Sequence, residues 1–185
     1  NISNAAWAFA TAGISSPALF EAVAREAEKQ MRLFNPQTLA NTAWAFATVG
    51  LESPALFEAI AKESQKQMRF FNPQDLANVA WAFAALGVVS PALFEGVLAG
   101  VPQGGSRRIR VERNATSRCQ FYQVLLFLRL EAPSELQLAW HLFGDDDQLE
   151  AELRQSFLAS DQRPSRAQRE VATALTRLGW AHEFE

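Results

Sequence analysis

Three asparagines, Asn4, Asn41 and Asn78, recur at intervals of 37 residues, and the residue seven positions on is Thr11, Thr48 or Ala85. An amide offers both a donor and an acceptor, and a hydroxyl does the same. A column of such groups, one set per structural unit, is the chemistry by which helical repeats hydrogen-bond unpaired nucleobases. The same spacing also fits a structural amide ladder that ties neighbouring units together through backbone groups. Beside the asparagines, the positions filled by Ala5, Thr42 and Val79, and by Thr38 and Asp75, change from copy to copy. These are the positions at which bases would be told apart, and two of them are apolar, so discrimination there is weak.

The elements that must position these residues follow from the surrounding text. Leu39–Gly50 reads Leu-Ala-Asn-Thr-Ala-Trp-Ala-Phe-Ala-Thr-Val-Gly, Leu76–Gly87 repeats it with small changes, and a clipped copy spans Ile2–Gly13. Self-similarity at such a period marks stacked helical units. Each copy predicts a hairpin. Its first helix runs from Asn35-Pro36 to Gly50, or from Asn72-Pro73 to Gly87, with Asn as N-cap, Pro at the first helical position and Gly as left-handed stop. Its second helix opens at Ser16-Pro17, Ser53-Pro54 or Ser90-Pro91 by the same capping logic and runs to about Met31 or Met68. On a wheel, Leu39, Ala40, Ala43, Trp44, Phe46 and Ala47 cover so wide an arc that the first helix must be covered on several sides. Trp7, Trp44 and Trp81 are therefore expected between hairpins. The exposed strip is expected to carry Asn41, Ala45 and Thr48, with Thr42 beside it.

Along the second helix Leu56, Phe57, Ile60, Ala61, Ser64 and Met68 face inward, and Glu58, Lys62, Lys66 and Arg69 face out. The first copy matches with Glu21, Arg25, Lys29 and Arg32. This stripe could touch phosphates, but a solvated face laced with i,i+4 ion pairs is the better reading. Residues 1–100 hold six Lys/Arg against eight Asp/Glu. The densest positive charge is Arg107, Arg108, Arg110 and Arg113, opposed only by Glu112, inside a Gly-rich stretch. It reads equally as a basic arm on RNA and as a solvated loop. The expected organisation is a set of about three helical hairpins at 1–100, a linker at 101–116, a helical connector at 117–162, and a further segment at 163–185. An apolar helix is expected over Ser117–Leu130, another from Pro133-Ser134, and one opened by Asp145-Asp146-Asp147 and reaching about Ala159. Ser165-Arg166-Ala167-Gln168 has the form of a capping box.

The core Asn-Pro-Gln-Asp-Leu-Ala-Asn-Val-Ala-Trp-Ala-Phe-Ala-Ala-Leu-Gly at Asn72–Gly87 resembles the octotricopeptide repeats, and the closely similar heptatricopeptide repeats, of organellar RNA-binding proteins in algae and other protists. The stretch Ser165–Gly179 with His182-Glu183, behind the apolar helix Cys119–Leu130, is similar to the lead-in of a RAP domain. The resemblance implies an all-α solenoid acting without catalysis or cofactor in a mitochondrion or chloroplast. Its partner would be organellar mRNA or rRNA, which such proteins mature, stabilise or help translate, or it would be a scaffold subunit among the proteins of an organellar ribosome. The residues expected on RNA are Asn4, Thr11, Thr38, Asn41, Thr42, Thr48, Asp75, Asn78, Arg107, Arg108, Arg110 and Arg113. Two departures stand out: the third copy loses the basic outer stripe, and the RAP-like segment stops before the acidic, strand-rich part in which relatives resemble nucleases. No nuclease activity carries over.

The totals bound the rest. With 185 residues, 49% hydrophobic and 20% charged, the chain has the composition of a folded protein. A net charge of −3 is not the footprint of a protein coated with phosphate-binding lysines. The single cysteine, Cys119, rules out an internal disulfide and reads as a buried member of an apolar helix. No apolar run approaches the roughly 20 residues of a membrane span. Asp145–Asp147 fits a helix N-terminus better than a metal site, because no spaced ligands complete a shell. His141 and His182 belong to no arrangement that suggests a triad. The sequon Asn114-Ala115-Thr116 is a frequent chance match.

Overall fold

A computed structural model of the chain describes residues 2–100, 115–130 and 147–159. All of its described elements are helical: α1 (Ile2–Thr11), α2 (Pro17–Gln30), α3 (Pro36–Val49), α4 (Pro54–Gln67), α5 (Pro73–Ala85), α6 (Pro91–Gly100), α7 (Ala115–Leu130) and α8 (Asp147–Leu158). The helices expected near Pro133 and Ser165, the linker at 101–114 and the whole RAP-like segment lie outside the described residues.

The local signals act largely as their chemistry predicts. Asn35 Oδ1 accepts the Thr38 backbone N–H at 2.8 Å, and Asn72 Oδ1 accepts that of Asp75 at 2.8 Å, so both first helices carry a side-chain N-cap followed by proline. Ser16 and Ser53 differ from expectation. They occupy the N-cap position before Pro17 and Pro54, but their hydroxyls make no capping bond. Only their carbonyls join the helix, accepting from Phe20 and Phe57 at 3.0 Å each.

Gly13, Gly50 and Gly87 stand at φ of 70°, 67° and 64°, a conformation a side chain would strain. The residue after each bonds back five positions: Ile14 to Phe9 at 2.9 Å, Leu51 to Phe46 at 3.0 Å and Val88 to Phe83 at 2.8 Å. This is the Schellman closure, made three times, and it turns each first helix into its partner. The second helices end in a single 3-10 turn, Met31–Leu33 and Met68–Phe70, close to the expected stops.

The helices pack in two successions. α1, α3, α5, α7 and α8 touch one after another, and α2, α4 and α6 do the same beside them. Alanine makes the first succession possible: Ala40, Ala43, Ala45, Ala77, Ala80 and Ala82 are all fully buried, which lets helix axes come close. Phenylalanine locks the two successions together. Phe20 of α2 meets Phe46 of α3 edge-on at 5.0 Å, and Phe57 of α4 meets Phe83 of α5 at 4.9 Å.

A third pair, Phe94 of α6 with Phe127 of α7 at 5.8 Å, continues the series. The helix expected to belong to a connector thus packs on α5 as α5 packs on α3. It also begins at Ala115, two residues inside the stretch expected as linker. Cys119 is buried as expected, its thiol 3.3 Å from the Ser156 carbonyl of α8.

Candidate nucleic-acid interface

Asn4, Asn41 and Asn78 lie at matching places on α1, α3 and α5, exposed in the first and half-buried in the others. A structural amide ladder would show bonds from these side chains to neighbouring backbone. Among the described residues they make none, and none of the three is a buried orphan. Asn35 and Asn72, repeated at the same period, behave oppositely: their amide oxygens are engaged in the caps. Asparagine is thus used in two ways, one turned into the fold and one turned out of it.

The exposed strip is not the one the wheel suggests. Successive helical residues are about 100° apart, so Trp44 sits about 60° to one side of Asn41 and Ala45 about 40° to the other. The structure covers the alanine side. Ala45 and Ala82 are wholly buried, because α1 lies against α3 there and α3 against α5. The tryptophan side stays open. Trp7 is 46% exposed, Trp44 is half-buried, and Trp81 falls to 7%. The rings form a tilted column, Trp7 to Trp44 at 6.4 Å and 34°, Trp44 to Trp81 at 6.5 Å and 35°. They pack between neighbouring hairpins, as expected, but along an open edge. The column closes at Trp81, whose indole N–H donates to the Gln123 side chain of α7.

Other expected contacts are corrected. Thr42 is fully buried and donates its hydroxyl to the Thr38 carbonyl at 2.7 Å, so it presents nothing to a ligand. Thr38 is half-buried, and its own hydroxyl bonds Asn35 at 2.8 Å within the cap. Asp75 is 6% exposed, and burial holds its carboxyl above the ordinary aspartate range, opposed in part by the Asn72 backbone N–H. Val79 is fully buried. The positions that vary between copies are therefore mostly interior, Ala5 being exposed only because nothing described packs on that side of α1. The Thr11 hydroxyl donates to the Trp7 carbonyl at 2.8 Å, and the Thr48 hydroxyl is buried without a partner. Neither hydroxyl is presented free to solvent: one is engaged within its own helix and the other is buried. Arg107, Arg108, Arg110 and Arg113 lie outside the described residues.

The opposite face is charged and self-contained. Arg25 pairs with Glu21 at 3.9 Å, Lys29 with Glu26 at 3.2 Å, Lys62 with Glu58, and Lys66 with Glu63 at 2.8 Å, each within one helix. The carboxyl of Glu58 is held below the usual range by its bond from Lys62, and that of Glu26 chiefly by its bond from Gln30. Glu63, expected at no special place, is buried. It accepts from Lys66 and Gln67, which hold its carboxyl low, and Gln67 reaches across to the Phe34 carbonyl of the preceding hairpin at 2.9 Å. Among the described residues there is no cluster of His, Cys, Asp or Glu able to hold a metal, and no helix is long and apolar enough to cross a membrane.

No protein-family model matches the sequence, and a search of curated proteins finds no significant relative.

Proposed function

We propose that this chain is a non-catalytic RNA-binding protein whose hairpins form an α-solenoid, with single-stranded RNA lying along the open edge of α1, α3 and α5. The observation that carries the reading is the column of three outward amides, Asn4, Asn41 and Asn78, which make no bond within the described fold. Two donors and an acceptor per hairpin, at a constant repeat, suit the edges of unpaired bases. The resemblance of Asn72–Gly87 to octotricopeptide and heptatricopeptide repeats supports the same reading. It directs it to organellar transcripts in a mitochondrion or chloroplast, with the RAP-like segment following.

A second reading, a scaffold subunit of an organellar ribosome that binds protein or folded rRNA, draws on a different observation. α1, α3 and α5 hold no Lys or Arg at all. Phosphate contacts supply most of the affinity of nucleic-acid binders, so a neutral face must take its phosphate charge from elsewhere in the chain. The Arg107–Arg113 cluster is the available source.

The test is a titration of the Asn41→Ala/Asn78→Ala double variant with single-stranded RNA at two salt concentrations. The wild type is expected to bind with a log–log salt slope no steeper than about −3, as four arginines allow on a single strand. The double variant should lose roughly ten-fold or more in affinity, equivalent to about 1.4 kcal/mol, with its melting temperature unchanged. No binding by the wild type, together with stable association with ribosomal proteins, sinks the reading in favour of the scaffold. A collapse of the melting temperature with RNA affinity retained makes the asparagines structural.

A further inference from the structure

We infer that the outer face of α1 and α2 is a seat for a further helical hairpin of this chain's own repeat, stacked on them as they are stacked on α3 and α4. Matched positions on the three hairpins carry this, whatever lies along the open edge. Thr42, Ala45 and Phe46 of α3 are buried where α1 and Phe20 lie on them, and Val79, Ala82 and Phe83 of α5 are buried where α3 and Phe57 lie on them. The same positions of α1 are Ala5, Ala8 and Phe9, and all three are exposed. Each later phenylalanine finds a ring in the hairpin before it: Phe46 meets Phe20, Phe83 meets Phe57 and Phe127 meets Phe94. Phe9, 37% exposed, meets none among the described residues. The second helices repeat the difference. Leu56 and Glu63 of α4 are buried, while Leu19 and Glu26 at the same places on α2 are half-buried. Gln67 donates across to the Phe34 carbonyl at 2.9 Å, whereas its counterpart Gln30 has Glu26 of its own helix as partner.

The occupant is specified by the interface it continues. The helix that lies on α3 or α5 presents small residues to it: Ser3, Ala6 and Ala10 of α1, then Ala40, Ala43 and Ala47 of α3, none more than 3% exposed. A ring placed like Phe20 or Phe57 and a carbonyl placed like that of Phe34 complete the contact. A second copy of the chain has no such face to offer among its described residues, because those of α1, α3 and α5 are taken by α3, α5 and α7. The end of a helical stack ordinarily turns a polar face to solvent. α1 turns alanine and phenylalanine outward instead and holds no charged residue. The register also fits. Asn-Pro-Gln precedes Thr38 and Asp75, the positions that match Asn1. A hairpin ending in Asn-Pro-Gln ahead of Asn1 would therefore lead into α1 as Asn35-Pro36-Gln37 leads into α3, and would supply the same N-cap.

The experiment joins a copy of residues 35–74, the hairpin that covers α5, directly ahead of Asn1 of the full chain. A control copy carries Ala40→Glu and Phe57→Ala, which spoil the contact face and keep the Asn-Pro-Gln cap. Amide hydrogen exchange over residues 2–13, read by mass spectrometry, reports the docking. The intact copy is expected to slow exchange there roughly ten-fold or more relative to the control copy. Phe9→Ala, made in the original α1 behind the intact copy, should reverse most of that protection. Equal exchange behind the two copies, or protection that Phe9→Ala leaves in place, overturns the inference. Sedimentation of the unextended chain supplies the second check, and the expected result is a monomer at micromolar concentration. A dimer that Phe9→Asp dissociates means that a second copy covers the face, and it overturns the inference as well.

Discussion

The two successions of helices solve the same packing problem with opposite surfaces. α2 and α4 show charge to solvent, and much of it is consumed locally: each of their four cations, Arg25, Lys29, Lys62 and Lys66, is held by a glutamate three or four residues away. α1, α3 and α5 carry one charged residue among them, the buried Asp75, yet their open edge holds amides with no partner among the described residues. Density of charge is therefore a poor guide to where this molecule is free to recognise something. Exposed ion pairs contribute little and are already matched, whereas an unmatched amide beside an indole has capacity to bind and little competing for it.

The largest effect expected on this comparison comes from the phenylalanines that join the two successions. Phe46 is 2% exposed and meets Phe20 edge-on, while Phe9, at the matching place on α1, is 37% exposed. Phe46→Ala should lower the unfolding free energy by about 3–5 kcal/mol, and Phe9→Ala by no more than about 1 kcal/mol. Urea titrations of the two variants measure the difference. Equal losses would mean that α1 is covered in solution on the side the structure leaves open.

A smaller effect tests the one charge inside the neutral succession. Because burial raises the Asp75 carboxyl above its unfolded value, the folded state holds that proton more tightly than the unfolded state. Its contribution therefore favours folding at low pH and is lost as pH rises through the raised value. Asp75→Asn removes this dependence. The variant should gain up to about 1 kcal/mol over wild type at neutral pH, with the gap closing below the ordinary aspartate range. Melting temperatures at neutral and acid pH measure it. A gap that stays constant, or widens in acid, contradicts the assignment. Comparing variant with wild type isolates Asp75 from Glu26, Glu58 and Glu63, whose lowered carboxyls act in the opposite direction.

Much of this architecture is legible in the sequence because it is written in local chemistry. Asn-Pro starts, glycine stops and the 37-residue period place α1 to α6 closely, and the inward and outward faces of α4 follow its apolar spacing. The open edge was only half legible. A wheel drawn for one helix fixes which residues share an arc, but not from which side its neighbours approach. That depends on the sense in which hairpins follow one another. Trp44 and Ala45 flank Asn41 almost symmetrically, and only the packing of α1 on α3 decides that the alanine is covered and the indole left open.

The same limit explains Thr42, whose hydroxyl bonds within its own helix, and Asp75, which is buried with only the Asn72 backbone N–H to offset its desolvation. α7 escaped for another reason. Its sequence shares no motif with α1, α3 or α5, and the surviving signal is the series Phe20, Phe57, Phe94, which requires a partner ring after the third member just as after the first two.

The central claim, that recognition lies on the neutral succession and not the charged one, is tested most directly by NMR of the side-chain amide, indole, ammonium and guanidinium groups during titration with oligo(A). The account predicts that the Asn4, Asn41 and Asn78 amide signals and the Trp7 indole signal shift together, while Asn35, Asn72 and the Lys62–Glu58 and Lys66–Glu63 pairs stay still. Shifts confined to Arg32, Lys62, Lys66 and Arg69, with the three amides unmoved, would contradict it.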